Sequence, residues 1–177
     1  MRYKQIILII CLLLLSNQLA YASGFYLHDN KQYWWYHSED PYFYAVVPSN
    51  AERYTKKTLF GNEILEIAFD DGSTIMEIGS FKGKEVSEVV DFVGKKWTSM
   101  IDNLVVIANR EITTSNDLKT FFYAIEGIGA DGKKGMLRSV YFKKGDVVVY
   151  QAMFLESSKY KGDLQNHWLR AVNEFEW

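Results

Sequence analysis

At 177 residues, with 48% apolar and 16% aromatic side chains, the chain can bury the core of one domain, and this composition excludes an intrinsically disordered protein. The formal net charge is −2 and basic residues form no block, which argues against nucleic acid and anionic membrane surfaces as partners. The single cysteine, Cys11, excludes an intramolecular disulfide.

The first 22 residues have the pattern of a secretory signal peptide. Two basic residues precede an unbroken apolar run of ten, Ile6–Leu15, and residues 20–22 (Ala-Tyr-Ala) supply the small-x-small motif that signal peptidase reads. A membrane-spanning helix needs about 20 apolar residues. We therefore predict cleavage between Ala22 and Ser23 in preference to an uncleaved anchor.

Export has consequences for the mature chain. Cys11 lies within the apolar run and not at the cleavage site, so it is not a lipid-attachment residue, and no cysteine remains after cleavage. Loss of the two basic leader residues changes the balance from 20 to 18 basic against 22 acidic residues, a net charge near −4. These features predict a bacterial periplasmic or secreted protein without stable membrane insertion after signal cleavage.

Residues 23–41 form an aromatic segment that has no clear period. We interpret it either as a lid packed against the domain, which we favour, or as a platform that stacks on sugars. The residues that we propose for ligand or partner binding are Tyr33, Trp34, Trp35, Tyr36 and His37.

A strand, a hairpin and a helix follow in chain order. Alternation predicts a strand over Tyr42–Val47, which the Pro-Ser-Asn sequence after it ends. Two further strands, Ile64–Phe69 and Ser73–Gly79, are joined by an Asp-Asp-Gly turn typical of a hairpin. Apolar residues at helical spacing then predict a helix over Val86–Ile101.

The apolar stripe of this helix predicts which side chains it buries. We expect Val93 and Trp97 in the core, Ser87 at the N-cap, and Lys95 and Lys96 on the opposite, solvated face.

The second half of the chain predicts four strands and a helix. A strand is predicted to begin with the segment Leu104–Asn109. A meander with short turns is then predicted over Thr120–Gly127, Met136–Phe142 and Val147–Leu155. A final amphipathic helix is predicted over about Lys161–Phe175, with one apolar stripe formed by Leu164, Trp168, Ala171, Val172 and Phe175.

The sequence contains no complete motif for phosphate binding, zinc binding or serine catalysis. Gly127–Lys134 approaches a phosphate-binding loop, but a strand follows it, so no helix N-terminus is present to bind a phosphate. The histidines His28, His37 and His167 lack the spacing of a zinc site, and no serine lies in a G-x-S-x-G elbow. We therefore predict no catalytic residue, no metal site and no cofactor; a hydrolase assembled from distant residues is the weakest alternative.

The order of elements resembles the PsbP-like family. The resemblance is carried by Tyr44–Pro48, the first helix at Ser87–Met100, the strand at Val147–Tyr150 and the terminal Ala171–Phe175 segment. It implies an α+β fold in which an antiparallel sheet is flanked by helices on both sides, as one domain over residues 42–177. Cystatin-like and nuclear-transport-factor-like folds are alternatives, but they usually place the long helix before most of the sheet.

The resemblance also implies a binding or assembly role, because members mostly lack a shared catalytic set. The functional expectation is an exported, non-enzymatic accessory protein that binds a protein partner in the bacterial envelope. The alternative is a small-ligand or glycan-binding module that uses the N-terminal aromatic residues.

Overall fold

A computed structural model describes residues 24–59, 62–69 and 72–177. The predicted leader and the Asp70-Asp71 turn lie outside the described residues. The class is α+β, with antiparallel sheets and two helices. In chain order the elements are β1 (Gly24–Leu27), β2 (Tyr33–Glu39), β3 (Tyr42–Pro48), β4 (Arg53–Leu59), β5 (Asn62–Phe69), β6 (Thr74–Lys82), α1 (Val86–Thr98), β7 (Ile101–Thr113), β8 (Lys119–Gly129), β9 (Lys134–Lys144), β10 (Val147–Glu156) and α2 (Asp163–Asn173).

The strands form two sheets in which all neighbours are antiparallel. One has the order β1-β2-β3 and the other the order β4-β5-β6-β10-β9-β8-β7. The predicted meander β8-β9-β10 is therefore confirmed, and β10 joins it to the predicted β5-β6 hairpin. Short turns explain this pairing, since they can connect only antiparallel neighbours.

Alternation along β10 divides the larger sheet between two cores. Val149 and Met153 face the core that α2 and the three-stranded sheet cover, whereas Val148 and Tyr150 face the core under α1. The two helices thus lie on opposite faces of one sheet, as expected. Neither α1 nor α2, the helices of the described chain, is long and apolar enough to cross a membrane.

Helix α1 buries its predicted core residues, but it ends at Thr98 and not at Ile101, which begins β7, and its N-cap differs from the prediction. Val93 and Trp97 are buried, at 1% and 2% exposure. The prediction of Ser87 as the N-cap is wrong: Glu85 occupies that position in a capping box with Glu88, whose carboxylate accepts the backbone N–H of Glu85 at 2.9 Å. A capping box needs a Glu or Gln three residues after the cap: Glu85 has Glu88 there, whereas Ser87 has Val90.

Lys96 also departs from expectation. We predicted a solvated side chain, but its ammonium forms an ion pair with the buried carboxylate of Glu77 on β6. Its stem lies near the ring of Trp97, with the ammonium 4.8 Å from the ring centroid. Lys95 is exposed, as predicted.

Phe175 and Glu176, beyond the end of α2, contact both sheets. Phe175 lies beyond the last residue of α2 yet has 0% exposure, and its ring stacks on Phe142 at 3.9 Å between centroids. Glu176 then exchanges two backbone hydrogen bonds with Tyr44 of β3, of 2.8 and 3.0 Å. The terminal residues therefore connect the three-stranded sheet to the rest of the domain.

Three strands escaped prediction. β1 and β2 lie within the aromatic segment at 23–41, and β2 pairs with β3 along its whole length, so this segment is continuous with the domain that we began at residue 42. β4 consists mostly of polar residues at the edge of the larger sheet. A strand with large side chains on both faces, or with few apolar ones, has no period-2 signal.

Candidate functional site

The five aromatic-segment residues proposed from sequence do not form one surface, because successive strand residues point to opposite faces. Tyr36 is buried in the core toward the larger sheet, and Trp34 packs against the same core. Tyr33, Trp35 and His37 lie on the other face of β2. The first group is structural. Tyr33 is also buried, at 3% exposure with its hydroxyl bonded to His167, so only Trp35 and His37 can contribute to a surface on the outer face of the sheet.

The outer face of the three-stranded sheet carries a cluster of rings. We define this outer aromatic face as Tyr26, Trp35, His37, Tyr42 and Tyr44. The His37 and Tyr44 rings stack at 4.6 Å, the Tyr42 and Tyr44 hydroxyls lie 3.2 Å apart, and the hydrogen bond with Tyr42 raises the pKa of Tyr44. Tyr26 and Tyr42 are 49% and 53% exposed. Such a surface can stack against the flat face of a ligand.

His28 fastens one end of this face to α2. Its Nδ1 accepts the backbone N–H of Asn30 at 2.9 Å, so Nε2 carries the ring proton and donates to the Glu174 carboxylate at 3.0 Å. The ring also stacks on Trp35 at 5.0 Å. His28 therefore acts as a structural link, and its two nitrogens are both engaged.

A polar cavity of about 290 Å³ lies beside His167, at the first turn of α2. Its lining brings together His167, Tyr33, Ser49 and Asp163, the residue types that a hydrolase would need. However, His167 Nδ1 is hydrogen-bonded to the Tyr33 hydroxyl at 2.9 Å, and the Ser49 hydroxyl donates to the Lys31 carbonyl at 3.2 Å. Burial lowers the pKa of His167, against the effect of nearby Asp163. The Ser49 hydroxyl is therefore not paired with His167, and the serine–histidine arrangement of a hydrolase is not formed here.

A larger cavity, of about 520 Å³, lies between the end of α1 and the β8–β9 turn. Its floor includes Trp97 stacked on Phe154, with ring centroids 4.9 Å apart. The predicted phosphate-loop-like segment forms one side, and β9 follows it directly, in agreement with the sequence argument. On this rim Lys133 is paired with Glu156 at 3.3 Å.

Strand β7 exposes an apolar ridge that the sequence did not reveal. The β7 ridge consists of Leu104, Val105, Val106 and Ile107, which are 46%, 62%, 56% and 50% exposed. The predicted strand at Leu104–Asn109 is confirmed, but an unbroken apolar run is typical of a buried strand. Here β7 is the last strand of the sheet and has two bulges, one between Asp102 and Val105 and one between Val106 and Ala108.

The bulges explain why four consecutive side chains reach solvent. An extra residue in one strand breaks the alternation of faces and increases the local twist. Gly127 on β8 permits the first bulge, since a Cβ at this position would lie 2.7 Å from the Asp102 carbonyl oxygen. The ridge is therefore part of the ordered, hydrogen-bonded strand and not a frayed end.

These elements define a small antiparallel α+β domain with one helix on each face of its larger sheet. The fold is PsbP-like. The solution structure of cyanobacterial PsbP from Synechocystis sp. PCC 6803 matches 81% of this chain and 91% of that chain with a TM-score of 0.54 at 7% identity. The fold expected from the family resemblance is confirmed.

Two further solved structures are similar over much of the chain. A Pseudomonas aeruginosa protein of unknown function, described as a putative regulator, matches 73% of this chain and 86% of its own at 10% identity, with a TM-score of 0.38. A Bacteroides thetaiotaomicron protein matches 88% of this chain and 48% of its own at 8% identity, with a TM-score of 0.43. No family model and no curated protein matches the sequence.

Proposed function

We propose that this chain is an exported, non-enzymatic binding or assembly protein of the bacterial envelope that docks onto a protein partner through the β7 ridge. The main support for this proposal is that four consecutive large apolar side chains are exposed on an edge strand. Contiguous apolar surface of this kind marks interaction sites in soluble proteins. Full burial of one such side chain stabilises a complex by about 1.5–3 kcal/mol before the costs of association.

The charges around the ridge favour a protein over a lipid surface. Asp102, Arg110 and Glu111 flank it with both signs, and the chain without its leader carries a net charge near −4. Binding to anionic lipid needs a cluster of basic residues. The bulges also disturb the backbone ladder, so side chains and not strand addition would supply the contact.

A triple variant, Val105→Thr, Val106→Thr and Ile107→Thr, tests this surface. Threonine keeps the β-branched shape that suits a strand but replaces a methyl group of each valine, and the ethyl group of the isoleucine, with a polar hydroxyl. We expect capture of the partner from envelope extracts to fall at least tenfold while the urea midpoint stays nearly unchanged. Quantitative mass spectrometry of the captured proteins measures the loss.

Leu169→Gln is the matched control, because Leu169 is 46% exposed on α2, away from β7. This variant should capture the same protein as the wild type. Equal recovery by all three proteins would overturn the assignment of the ridge.

The outer aromatic face favours a second candidate, a glycan-binding module. Its exposed rings Tyr26 and Tyr42 flank a sheet surface whose centre is aromatic, and sugars stack on such rings through their apolar faces. Both this function and the first require export, which the leader pattern predicts.

The strand geometry sharpens the test of this candidate. Trp35→Ala should abolish binding of soluble peptidoglycan fragments in calorimetry, since Trp35 lies on the outer aromatic face. Trp34→Phe should keep it, since Trp34 packs on the opposite face. Unchanged affinity in the Trp35 variant would remove the face from consideration.

A further inference from the structure

Arg138 occupies an unusual place on β9, opposite Ala124 of β8 and Met153 of β10. Its guanidinium carbon lies 5.0 Å from the ring centroid of Phe122 and 4.4 Å from that of Tyr160. The half-buried cation is thus held between two aromatic rings.

No carboxylate accompanies this cation within 4.0 Å among residues 24–59, 62–69 and 72–177. Its Nη1 contacts only the Met136 sulfur, at 4.0 Å, and its Nε is buried without a hydrogen-bond partner. By contrast, the half-buried Arg170 is paired with Glu174 at 2.7 Å. Burial lowers the pKa of Arg138, although the group stays protonated.

A desolvated cation without a counter-ion costs stability, and the aromatic rings offset only part of that cost. The contacts with the same two rings restrict where the guanidinium can lie. A planar, pre-oriented guanidinium matches a carboxylate, which it can bind through two parallel hydrogen bonds. The arrangement is therefore costly for the isolated chain and favourable for a carboxylate ligand.

We propose that Arg138, clamped between Phe122 and Tyr160, is a binding site for a carboxylate. Two strand spacings, about 10 Å, separate Arg138 from β7, so an acidic side chain of the partner on the β7 ridge would supply the ligand. That source rests on the proposed function, whereas the site itself does not.

Nuclear magnetic resonance of the arginine Nε–Hε groups tests the site in the mature chain. Titration with sodium acetate should shift the Arg138 signal in a saturable manner, and sodium chloride at equal ionic strength should not. The Arg170 signal should stay in place because Glu174 already occupies it. Equal shifts in both salts, no shift, or stronger binding of inorganic phosphate than of acetate would overturn the carboxylate assignment.

Arg138→Met separates a binding role from a packing role, since methionine keeps an apolar stem between the two rings. Because the variants at position 138 have no arginine signal there, the acetate response is compared with the wild type through the ring protons of Phe122 and Tyr160. We expect that response to vanish in Arg138→Met while the urea midpoint stays equal or rises. Arg138→Lys, which keeps the charge but loses the planar fork, should weaken the response several-fold. A fall in the urea midpoint as large as that of the control Arg170→Met would identify Arg138 as a packing residue and refute the proposal.

Discussion

Replacement of Phe175 by alanine lowers the free energy of unfolding by about 3–5 kcal/mol, the cost typical of a fully buried phenylalanine. The ring has 0% exposure and contacts both sheets, with centroids 3.9 Å from Phe142 and 5.7 Å from Phe43. Its removal leaves a cavity where the chain end joins the two sheets. Urea denaturation followed by tryptophan fluorescence measures the loss.

Leu169→Ala serves as the control, because this α2 residue is 46% exposed and its loss should change stability by less than about 0.5 kcal/mol. If Phe175→Ala cost no more than the control, the C-terminal residues would not hold the sheets together in solution. The backbone bonds between Glu176 and Tyr44 would then be the first contacts to reconsider.

The burial of Phe175 illustrates what could be predicted from sequence. The 3.6-residue period placed it on the same stripe as Trp168 and Val172, and the position is buried although the helix ends two residues earlier. The meander and α1 were likewise predictable, because turn residues and apolar periods are local signals. Each depends on residues close together in the chain.

The smaller sheet was not predictable in the same way. β2 has aromatic or buried polar residues on both faces, since one face packs on the core and the other carries the outer aromatic face. Such a strand has no alternation to detect. The sequence proposed Trp35 and His37 together with Trp34 and Tyr36 as binding residues, and only the pairing of β2 with β3 separates the two pairs onto opposite faces.

The candidate surfaces depend on what is missing around a residue, which sequence does not show. The β7 ridge looks like a buried strand until the sheet order places it at the edge. Arg138 resembles any strand arginine until its neighbours are known, because the absence of a carboxylate partner among the described residues is a tertiary property.

The prediction of a solvated Lys96 was wrong because its partner, Glu77, lies on a different element of the fold. Replacement of Lys96 is the second change that we expect to lower stability strongly. Lys96→Met should lower the free energy of unfolding by about 3–5 kcal/mol, because it leaves a buried carboxylate without its counter-ion. The Glu77 side chain is 1% exposed and that of Lys96 is 30% exposed. Methionine keeps most of the stem over Trp97, so the loss reports on the charge more than on packing.

Tyr150 cannot replace the missing ammonium. Its hydroxyl lies 3.4 Å from the second oxygen of Glu77, and burial, reinforced by the nearby carboxylate, raises the pKa of Tyr150 well above its ordinary value. The hydroxyl therefore stays neutral and offers Glu77 a hydrogen bond without a charge. A hydrogen bond from one neutral donor does not offset the free-energy cost of burying a carboxylate.

The double variant Lys96→Met with Glu77→Gln distinguishes an unpaired charge from lost contacts. Glutamine removes the charge and keeps an acceptor for the Tyr150 hydroxyl, so we expect the double variant to regain most of the stability that Lys96→Met loses. Lys95→Met, an exposed neighbour on the same helix, should stay within about 0.5 kcal/mol of the wild type. The single variant Glu77→Gln completes a double-mutant cycle. Additive losses in that cycle, measured by urea denaturation, would show that the two side chains act independently and that water already solvates Glu77.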